Sequence, residues 1–287
     1  MSTAEIHRTR ADITVAAPPE AVYRAMTDVE QWPVVFPWIA HTEVLERDGD
    51  ADLVKFWAVR PDGTTRIWTS RRTLDPVGLR MEFEQQGAVG LIDRLGGSWL
   101  FAPGTTADSC EVGSEHWFTT DGDPAAAAAE LDRHGARQLA TLRSRSEGRA
   151  ELAGRLLRGE RTLLVAEPPA QVHERLRRGL GPLGPAHGES FLDVTLDRAD
   201  GSVHPDRVLQ IPTGTGLLVH KHLMPPETLE LLVRHWRVAA DPAGTLVTAG
   251  YTAVVRDLAA RVSVAEDLDH DLDRTPARHL APIAVGR

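Results

Sequence analysis

The chain contains the same stretch of sequence twice, and this repeat constrains its fold more than any other feature. The segment VAAPPEAV at 15–22 returns as VAEPPAQV at 165–172, an offset of 165 − 15 = 150 residues. Two more landmarks repeat in the same order: SWLFA at 98–102 matches HWRVA at 235–239, and ELDR at 130–133 matches DLDR at 271–274. A unit of about 140 residues is too long for a solenoid repeat. We therefore predict two homologous domains in tandem, residues 1–152 and 153–287.

Composition excludes several classes of protein. The 287 residues are 42% hydrophobic and 25% charged, which is ordinary for a globular protein. A net charge of −9 argues against a nucleic-acid-binding domain, which is usually basic. Cys110 is the only cysteine, so the sequence predicts neither a disulfide framework nor a cysteine-based zinc site. No apolar run approaches about 18 residues, and the N-terminus lacks the apolar core of a signal peptide. We expect a cytoplasmic protein with no membrane partner.

The order of predicted elements defines the fold class. Residues 10–16 alternate like a strand, Pro18-Pro19 opens a helix, and Trp32-Pro33 ends it. Six strand candidates follow, at 42–47, 53–59, 66–74, 80–85, 97–102 and 110–119, before a helix from Asp123 to about Ser146. The second copy repeats this order with a strand at 162–166, a helix at 169–178, strands between 191 and 255, and a helix near 266–282. This order predicts an α+β domain, in which an antiparallel curved sheet wraps around one long C-terminal helix.

One predicted strand of the first copy carries an unusual set of side chains. Strand parity places Arg66, Trp68, Ser70 and Arg72 on one face. An unpaired arginine is costly to bury, so this face is either exposed to solvent or lines a cavity with polar groups, and the pattern alone favours solvent. The first copy also holds six of the seven tryptophans, for which packing in the core is the simpler interpretation.

Known catalytic signatures are absent from the chain. There is no nucleophile elbow, no phosphate-binding glycine loop and no HExxH motif. His220 and His222 lie two residues apart on a predicted strand, so both imidazoles can face the same way, but the sequence offers no third ligand. We expect no metal site and no cofactor. The Asp269-His270-Asp271 segment reads as a solvated helix face.

Several of these motifs together resemble a known family. The first strand, the APPEAVY helix at 17–23 and the DVEQWPxxF segment at 28–36 resemble the polyketide cyclase branch of the START-like, helix-grip superfamily. The tandem arrangement, with GLLVHKH at 216–222 and TAGYT at 248–252, is similar to the di-domain aromatase/cyclases of bacterial type II polyketide synthases. The resemblance implies a tandem duplication of a helix-grip domain.

The resemblance also implies an activity. Such proteins act on a poly-β-ketone thioester carried by an acyl carrier protein, and they close and dehydrate the first aromatic ring by aldol chemistry. Its implied partners are that carrier protein and a minimal polyketide synthase, with no nucleic acid. Ser70 and Arg72 match the family's Ser-x-Arg pattern and are the catalytic candidates, with Arg72 as the oxyanion partner. The substrate-binding candidates are the neighbouring pocket residues Trp32, Phe36, Arg66, Trp68 and Trp99.

Two departures from the family pattern affect the site. Arg66 stands where a single-domain relative has a tryptophan, and Ile39 stands where it has a tyrosine. The general base is not assigned by the resemblance, and His116 and Glu82 are the candidates in this sequence.

The second copy leaves its own role open. Counting from its Asp-Gly turn places Arg207 opposite Thr69, whereas counting from Trp236 places Arg207 near Arg72. Arg207 is thus a candidate for a second catalytic centre, although a structural or docking role for the second domain is favoured. A non-enzymatic carrier of a hydrophobic ligand is the alternative function for the whole chain. Carrier-protein docking would need a basic patch, and a group of arginines between the copies can supply one. A solvated helix and linker explain the same arginines equally well. They are Arg143, Arg145, Arg149, Arg155, Arg158 and Arg161.

Overall fold

A computed structural model describes residues 5–106, 108–179, 188–213 and 216–280 of the chain. It divides into two compact units, Met1–Arg149 and Ala150–Arg287. The boundary expected from the sequence, between residues 152 and 153, falls within a short helix that begins at Arg149.

The first unit is one antiparallel sheet with helices. Its strands are β1 (His7–Val15), β2 (Ile39–Asp48), β3 (Ala51–Val59), β4 (Thr65–Asp75), β5 (Arg80–Gln86), β6 (Arg94–Pro103) and β7 (Cys110–Thr119). Its helices are α1 (Pro19–Thr27), α2 (Trp32–Val35) and α3 (Pro124–Glu147). The strands lie in the order β1-β7-β6-β5-β4-β3-β2. The predicted α+β class and the antiparallel sheet are confirmed.

Local sequence explains where α3 begins and which side it buries. The Asp123 carboxylate accepts a hydrogen bond from the Ala125 N–H, at 2.9 Å, and Pro124 occupies the first turn, where its missing N–H has no partner to lose. Leu139 and Leu142, three residues apart, are buried in the main core of the unit. That core is closed by α1 and the inner face of the sheet.

The segment after α1 differs from the sequence-based expectation. Trp32-Pro33 does not break a helix but begins α2, with Pro33 in the first turn. The preceding helix already ends at Thr27, and a single 3-10 turn at Val29–Gln31 joins the two.

The second unit repeats this plan with one strand fewer among the described residues. It begins with α4 (Arg149–Arg155) and contains α5 (Pro169–Gly179), α6 (Arg261–Leu280) and six strands: β8 (Leu156–Val165), β9 (Ser190–Asp197), β10 (Val203–Pro212), β11 (Leu217–His222), β12 (Leu229–Asp241) and β13 (Gly244–Val255). The sheet order is β8-β13-β12-β11-β10-β9. Its last helix begins at Arg261, earlier than the expected Glu266, and the expected end near Pro282 lies outside the described residues.

Candidate active site

The inner face of β4 carries the polar residues singled out in the sequence. Ser70 and Arg72 are buried, with 4% and 2% of their surface exposed, whereas Arg71 and Thr73 between and beyond them are exposed. The solvent-exposed interpretation favoured by the pattern is therefore wrong for this face. The physical reason lies on the neighbouring strand, because Asp52 of β3 faces the same interior and pairs with Arg72 in register.

Arg72 is held by a complete set of acceptors. Its Nε and Nη2 atoms donate to the two carboxylate oxygens of Asp52, at 2.8 and 2.6 Å, and Nη1 donates to the Thr27 carbonyl at 3.2 Å. Such a two-pronged pair neutralises the guanidinium inside the core. The Ser70 hydroxyl donates to the Glu84 carbonyl at 3.3 Å, so its hydrogen bond also goes to the sheet.

The aromatic candidates form a continuous wall beside this pair. The Trp32 ring lies 5.0 Å from both Phe36 and Phe56, and Phe56 stacks on Trp68 at 4.9 Å with only 7° between the planes. Trp32, Phe36 and Trp99 are buried, which confirms the core packing expected of the tryptophans among them. Trp68 is half-buried and forms the outer end of the wall.

Beyond Trp68 the interior becomes polar. The Arg66 guanidinium lies over the Trp68 ring at 4.9 Å, and its Nη2 donates one long hydrogen bond of 3.4 Å to Gln85 Oε1. Among the described residues no carboxylate lies within 4.0 Å of Arg66, and burial lowers its pKa. From α3, the Arg137 guanidinium covers the Trp38 ring at 4.2 Å. The half-buried guanidinium of Arg66 is thus a donor with spare capacity, unlike that of Arg72.

The two general-base candidates lie on opposite faces of the sheet. His116 faces the interior, with its ring centroid 5.7 Å from that of Phe83 and 6.2 Å from that of Trp99. Burial lowers the pKa of His116, which keeps the imidazole neutral and able to accept a proton near pH 7. Glu82 is exposed and its carboxylate binds Arg80 at 2.8 Å, so its side chain does not reach this interior.

The outer face of the first sheet has a groove of about 420 Å³. Its walls include Arg71, Thr73, Glu82 and Glu115, which point away from the Arg72 side of the sheet. Positive and negative groups alternate there, so the groove has no single electrostatic preference. Phe83 and His116, which face the interior, also line this groove.

The second unit does not place Arg207 where its candidate catalytic role would require it. Arg207 is exposed on the outer face of β10, with its guanidinium 5.4 Å from the centre of the Phe191 ring. Counting from the turn glycines gives the consistent register, since 72 − 63 = 9 and 210 − 201 = 9 place Gln210 at the position of Arg72. Both glycines, Gly63 and Gly201, adopt positive φ in equivalent turns before their strands.

The inward side chains of β10 and β11 form a polar group that sequence reasoning missed. His222 Nδ1 lies 2.7 Å from Asp206 Oδ2, and His220 Nε2 lies 3.0 Å from Gln210 Oε1. All four residues are buried. The available signal was the spacing of His220 and His222, which does place both rings on one face, but their partners come from another strand and not from a metal.

A buried ion pair joins this group to the last helix. Arg234 on β12 binds Asp271 on α6, with Nη2 and Oδ2 2.8 Å apart. Asp271 is 4% exposed, so the interpretation of the segment 269–271 as a solvated face is wrong at that residue. Asp269 also accepts a hydrogen bond, from the Tyr251 hydroxyl at 3.0 Å.

Comparison with known proteins decides the family. Residues 15–137 match the family described as polyketide cyclase/dehydrase and lipid transport. The chain is 31% identical to the granaticin polyketide synthase bifunctional cyclase/dehydratase of Streptomyces violaceoruber, over 98% of this chain and 90% of that protein. It is 30% identical to the actinorhodin polyketide synthase bifunctional cyclase/dehydratase of Streptomyces coelicolor, over 99% of each chain. The chain belongs to the polyketide synthase cyclase/dehydratases.

The structure agrees with membership of the cyclase/dehydratases. It superimposes on the crystal structure of the di-domain ARO/CYC BexL from the BE-7585A biosynthetic pathway with a TM-score of 0.78 and 25% identity, covering 98% of this chain and 99% of that one. The family match at 15–137 falls in the first unit, whereas the two Streptomyces relatives match across both units. Both copies are therefore part of what this cyclase/dehydratase shares with its relatives.

Within the described ranges, no three or more histidine, cysteine, aspartate or glutamate side chains come together as metal ligands. No helix in that same part of the chain is long and apolar enough to cross a bilayer. Cys110 is buried in the first core, and burial raises the pKa of its thiol to about 11.

Proposed function

We propose that this cyclase/dehydratase folds a poly-β-ketone thioester and closes its first ring in the interior of the first domain, residues 1–152. The observation that carries the proposal is Arg66, a half-buried guanidinium with no carboxylate partner among the described residues, placed between Trp68 and Gln85. An aldol closure needs a fixed positive group where negative charge develops on oxygen. Arg66 has that charge to offer, whereas the charge of Arg72 is already balanced by Asp52.

The ring closure can be written with residues on this inner face. His116 Nε2 or Nδ1 accepts a proton from a methylene between two carbonyl groups, and the freed electron pair attacks a second carbonyl carbon of the same chain. The C=O bond electrons move to oxygen, and the resulting alkoxide lies against Arg66. Proton return from the imidazolium gives the β-hydroxy ketone. General acid–base catalysis of this kind typically contributes about 10²–10⁴-fold.

The aromatic wall would select the fold of the substrate. A wall of packed rings built by Trp32, Phe36, Phe56 and Trp68, with the half-buried Trp68 at its outer end, favours one curled conformation of an otherwise flexible chain. Holding two distant carbons in reacting geometry accelerates an intramolecular reaction through proximity. In this proposal Arg72 and Ser70 support the floor of the site, and Trp99 packs behind His116.

The proposed partner is an acyl carrier protein working with a minimal polyketide synthase, and the proposed place of action is the cytoplasm. The names of the two Streptomyces relatives support a synthase context. The group of arginines between the copies offers less support than expected, because two of its members are already paired. Arg155 binds Glu230 at 3.1 Å, and Arg161 binds Asp273 at 2.9 Å.

Reconstitution of a minimal polyketide synthase tests the proposal, with products followed by mass spectrometry. We expect wild-type protein to convert scrambled shunt products into one cyclised product, and Arg66→Met to slow this conversion by about 10²–10³-fold, as for loss of one oxyanion donor. Arg71→Met is the matched control, because Arg71 is the outward-facing arginine of the same strand. A carrier of hydrophobic ligands would leave the product profile unchanged with the wild-type protein, and that result would reject the proposed enzyme.

A further inference from the structure

The second domain contains an oriented imidazole sealed in its interior. The side chains of His222 and Asp206 are both 0% exposed. Asp206 Oδ2 binds His222 Nδ1, and its other oxygen, Oδ1, accepts the backbone N–H groups of Arg207 and Met224 at 2.6 and 2.9 Å. These contacts fix the carboxylate, and the carboxylate in turn fixes the ring and directs the Nε2 atom away from it.

Three buried polar atoms near this pair have no hydrogen-bond partner among the described residues. They are His222 Nε2, Gln210 Nε2 and Trp236 Nε1. A buried donor or acceptor without a partner costs free energy, so native interiors rarely keep several together. When they do, each such atom calls for an explanation, such as a catalytic role, a bound water or an ion.

The sheet register places these three atoms on one face of three adjacent strands. Val208 pairs with His222 and Gln210 with His220, so the inward residues of β10 and β11 alternate together. Across the next strand pair, Leu218 is opposite Trp236, whose ring lies 4.7 Å from that of His220. One proton acceptor thus shares an interior face with two N–H donors, which is the donor and acceptor pattern needed to remove a proton beside a carbonyl group.

We propose that the second domain is a second active site, in which His222 is the acid–base group that dehydrates a cyclic β-hydroxy ketone; the assignment rests on the proposed function of the first domain. His222 Nε2 accepts the proton on the carbon next to the carbonyl group. That C–H electron pair first moves onto the carbonyl oxygen to give an enolate, and its return forms the new C=C bond as the C–O bond to the hydroxyl group breaks. The leaving oxygen takes the proton back from Nε2, so one water is released and the neutral imidazole is restored. Gln210 and Trp236 donate to the carbonyl oxygen while it carries negative charge.

The electrostatic surroundings suit a neutral base. Burial lowers the pKa of His222, while its hydrogen bond and charge interaction with Asp206 act in the opposite direction. Of the charged groups on the packed elements, Arg234 on β12 also lowers this pKa and Asp271 on α6 raises it. The site lies where β11 meets the turn to β12, and Met224 in that turn is 56% exposed.

A time course of the reconstituted synthase reaction tests this assignment. With His222→Gln, whose amide can still donate to Asp206, we expect a cyclised product heavier by one water to accumulate and the dehydration rate to fall at least about 10²-fold. Asp206→Asn should give the same intermediate and shift the pH dependence of dehydration. Arg207→Ala, which changes an exposed residue of the same strand, should dehydrate at the wild-type rate.

Stability is measured for each variant by thermal unfolding, so that a structural role can be recognised. If folded His222→Gln and Asp206→Asn dehydrate at the wild-type rate, the second site does not exist. If either fails to fold, Trp236→Phe decides instead, because it removes an N–H that makes no hydrogen bond among the described residues. Dehydration slowed in that variant supports the site, and an unchanged rate overturns it. Failure of the first-domain proposal looks different, since then wild-type protein yields no cyclised product at all.

Discussion

The buried pair of Arg72 and Asp52 allows a prediction with a large magnitude. Their side chains are 3% and 2% exposed, and two hydrogen bonds of 2.8 and 2.6 Å join them. The change Arg72→Met removes the guanidinium but leaves the Asp52 carboxylate in the core. Stranding one charge of a buried pair typically costs about 3–5 kcal/mol. We expect Arg72→Met to lower the free energy of unfolding of the first domain by that amount.

The double variant separates the charge from the packing. Replacing both partners, as in Arg72→Met with Asp52→Leu, removes the stranded charge and keeps an apolar filling. Replacement of a buried ion pair by well-packed apolar residues is often close to neutral. We therefore expect the double variant to recover most of the stability lost in the single variant. The exposed pair of Arg71 and Glu46 is the control, and Arg71→Met should cost no more than about 1 kcal/mol.

Chemical denaturation followed by tryptophan fluorescence is the appropriate assay, because six of the seven tryptophans lie in the first unit. A loss below about 1 kcal/mol in Arg72→Met would refute the reasoning, since that is the range of exposed pairs. A double variant as unstable as the sum of the two single changes would refute it as well. The folded double variant also reports on function. If it still cyclises the polyketide, the role of Arg72 is structural. If cyclisation is lost, Arg72 contacts the substrate directly.

Three further predictions concern stability. Burial lowers the pKa of Lys221 to about 7, so between about pH 7 and 10.5 the unfolded chain binds a proton that the folded chain does not. Lys221→Met should therefore stabilise the protein most at pH 7. Denaturation at several pH values should show this gain in the free energy of unfolding shrinking by about 1.4 kcal/mol per pH unit as pH rises. In α3, a Cβ at buried Gly135 would meet no atom within 4 Å, so thermal unfolding should show Gly135→Ala to be stabilising by about 0.5–1 kcal/mol. In Gly96→Ala the Cβ would lie 2.4 Å from the Trp117 ring, and the same assay should show a clear loss of stability.

The fold was predictable because its signals are local or repeated. The repeat defined two copies, strand alternation defined the sheets, and Asp123-Pro124 marked the start of the long helix. Each of these depends on residues close together in the chain. The parity of β4 was also correct, since Arg66, Trp68, Ser70 and Arg72 do share a face. Parity alone does not predict which of the two faces is buried.

The pairing of charges was not predictable, because it joins residues from different strands and helices. From the sequence alone, Arg72 is predicted to be exposed to solvent. The structure pairs it with Asp52 on β3, which explains its burial. His222 reads as half of an incomplete metal site until Asp206 is placed beside it on β10. In both cases the deciding partner lies more than ten residues away in sequence, and its register depends on turns whose lengths the pattern leaves open. The position of Arg207 failed for the same reason, since two ways of counting gave two registers.

We propose that the divergence between the copies follows from the two steps of the reaction. Equivalent inward positions hold Trp68 and Arg72 in the first sheet but Asp206 and Gln210 in the second. Closing the ring requires a positive group against a developing alkoxide, whereas dehydration requires an imidazole that gains and loses a proton. In the proposed scheme the first interior holds both an imidazole, His116, and the guanidinium of Arg66, whereas the second holds His222 with Asp206 as its partner. Two copies of the fold thus hold the residues of the two proposed steps in separate domains, and the two Streptomyces relatives match this chain across both copies, over 90% and 99% of their own length.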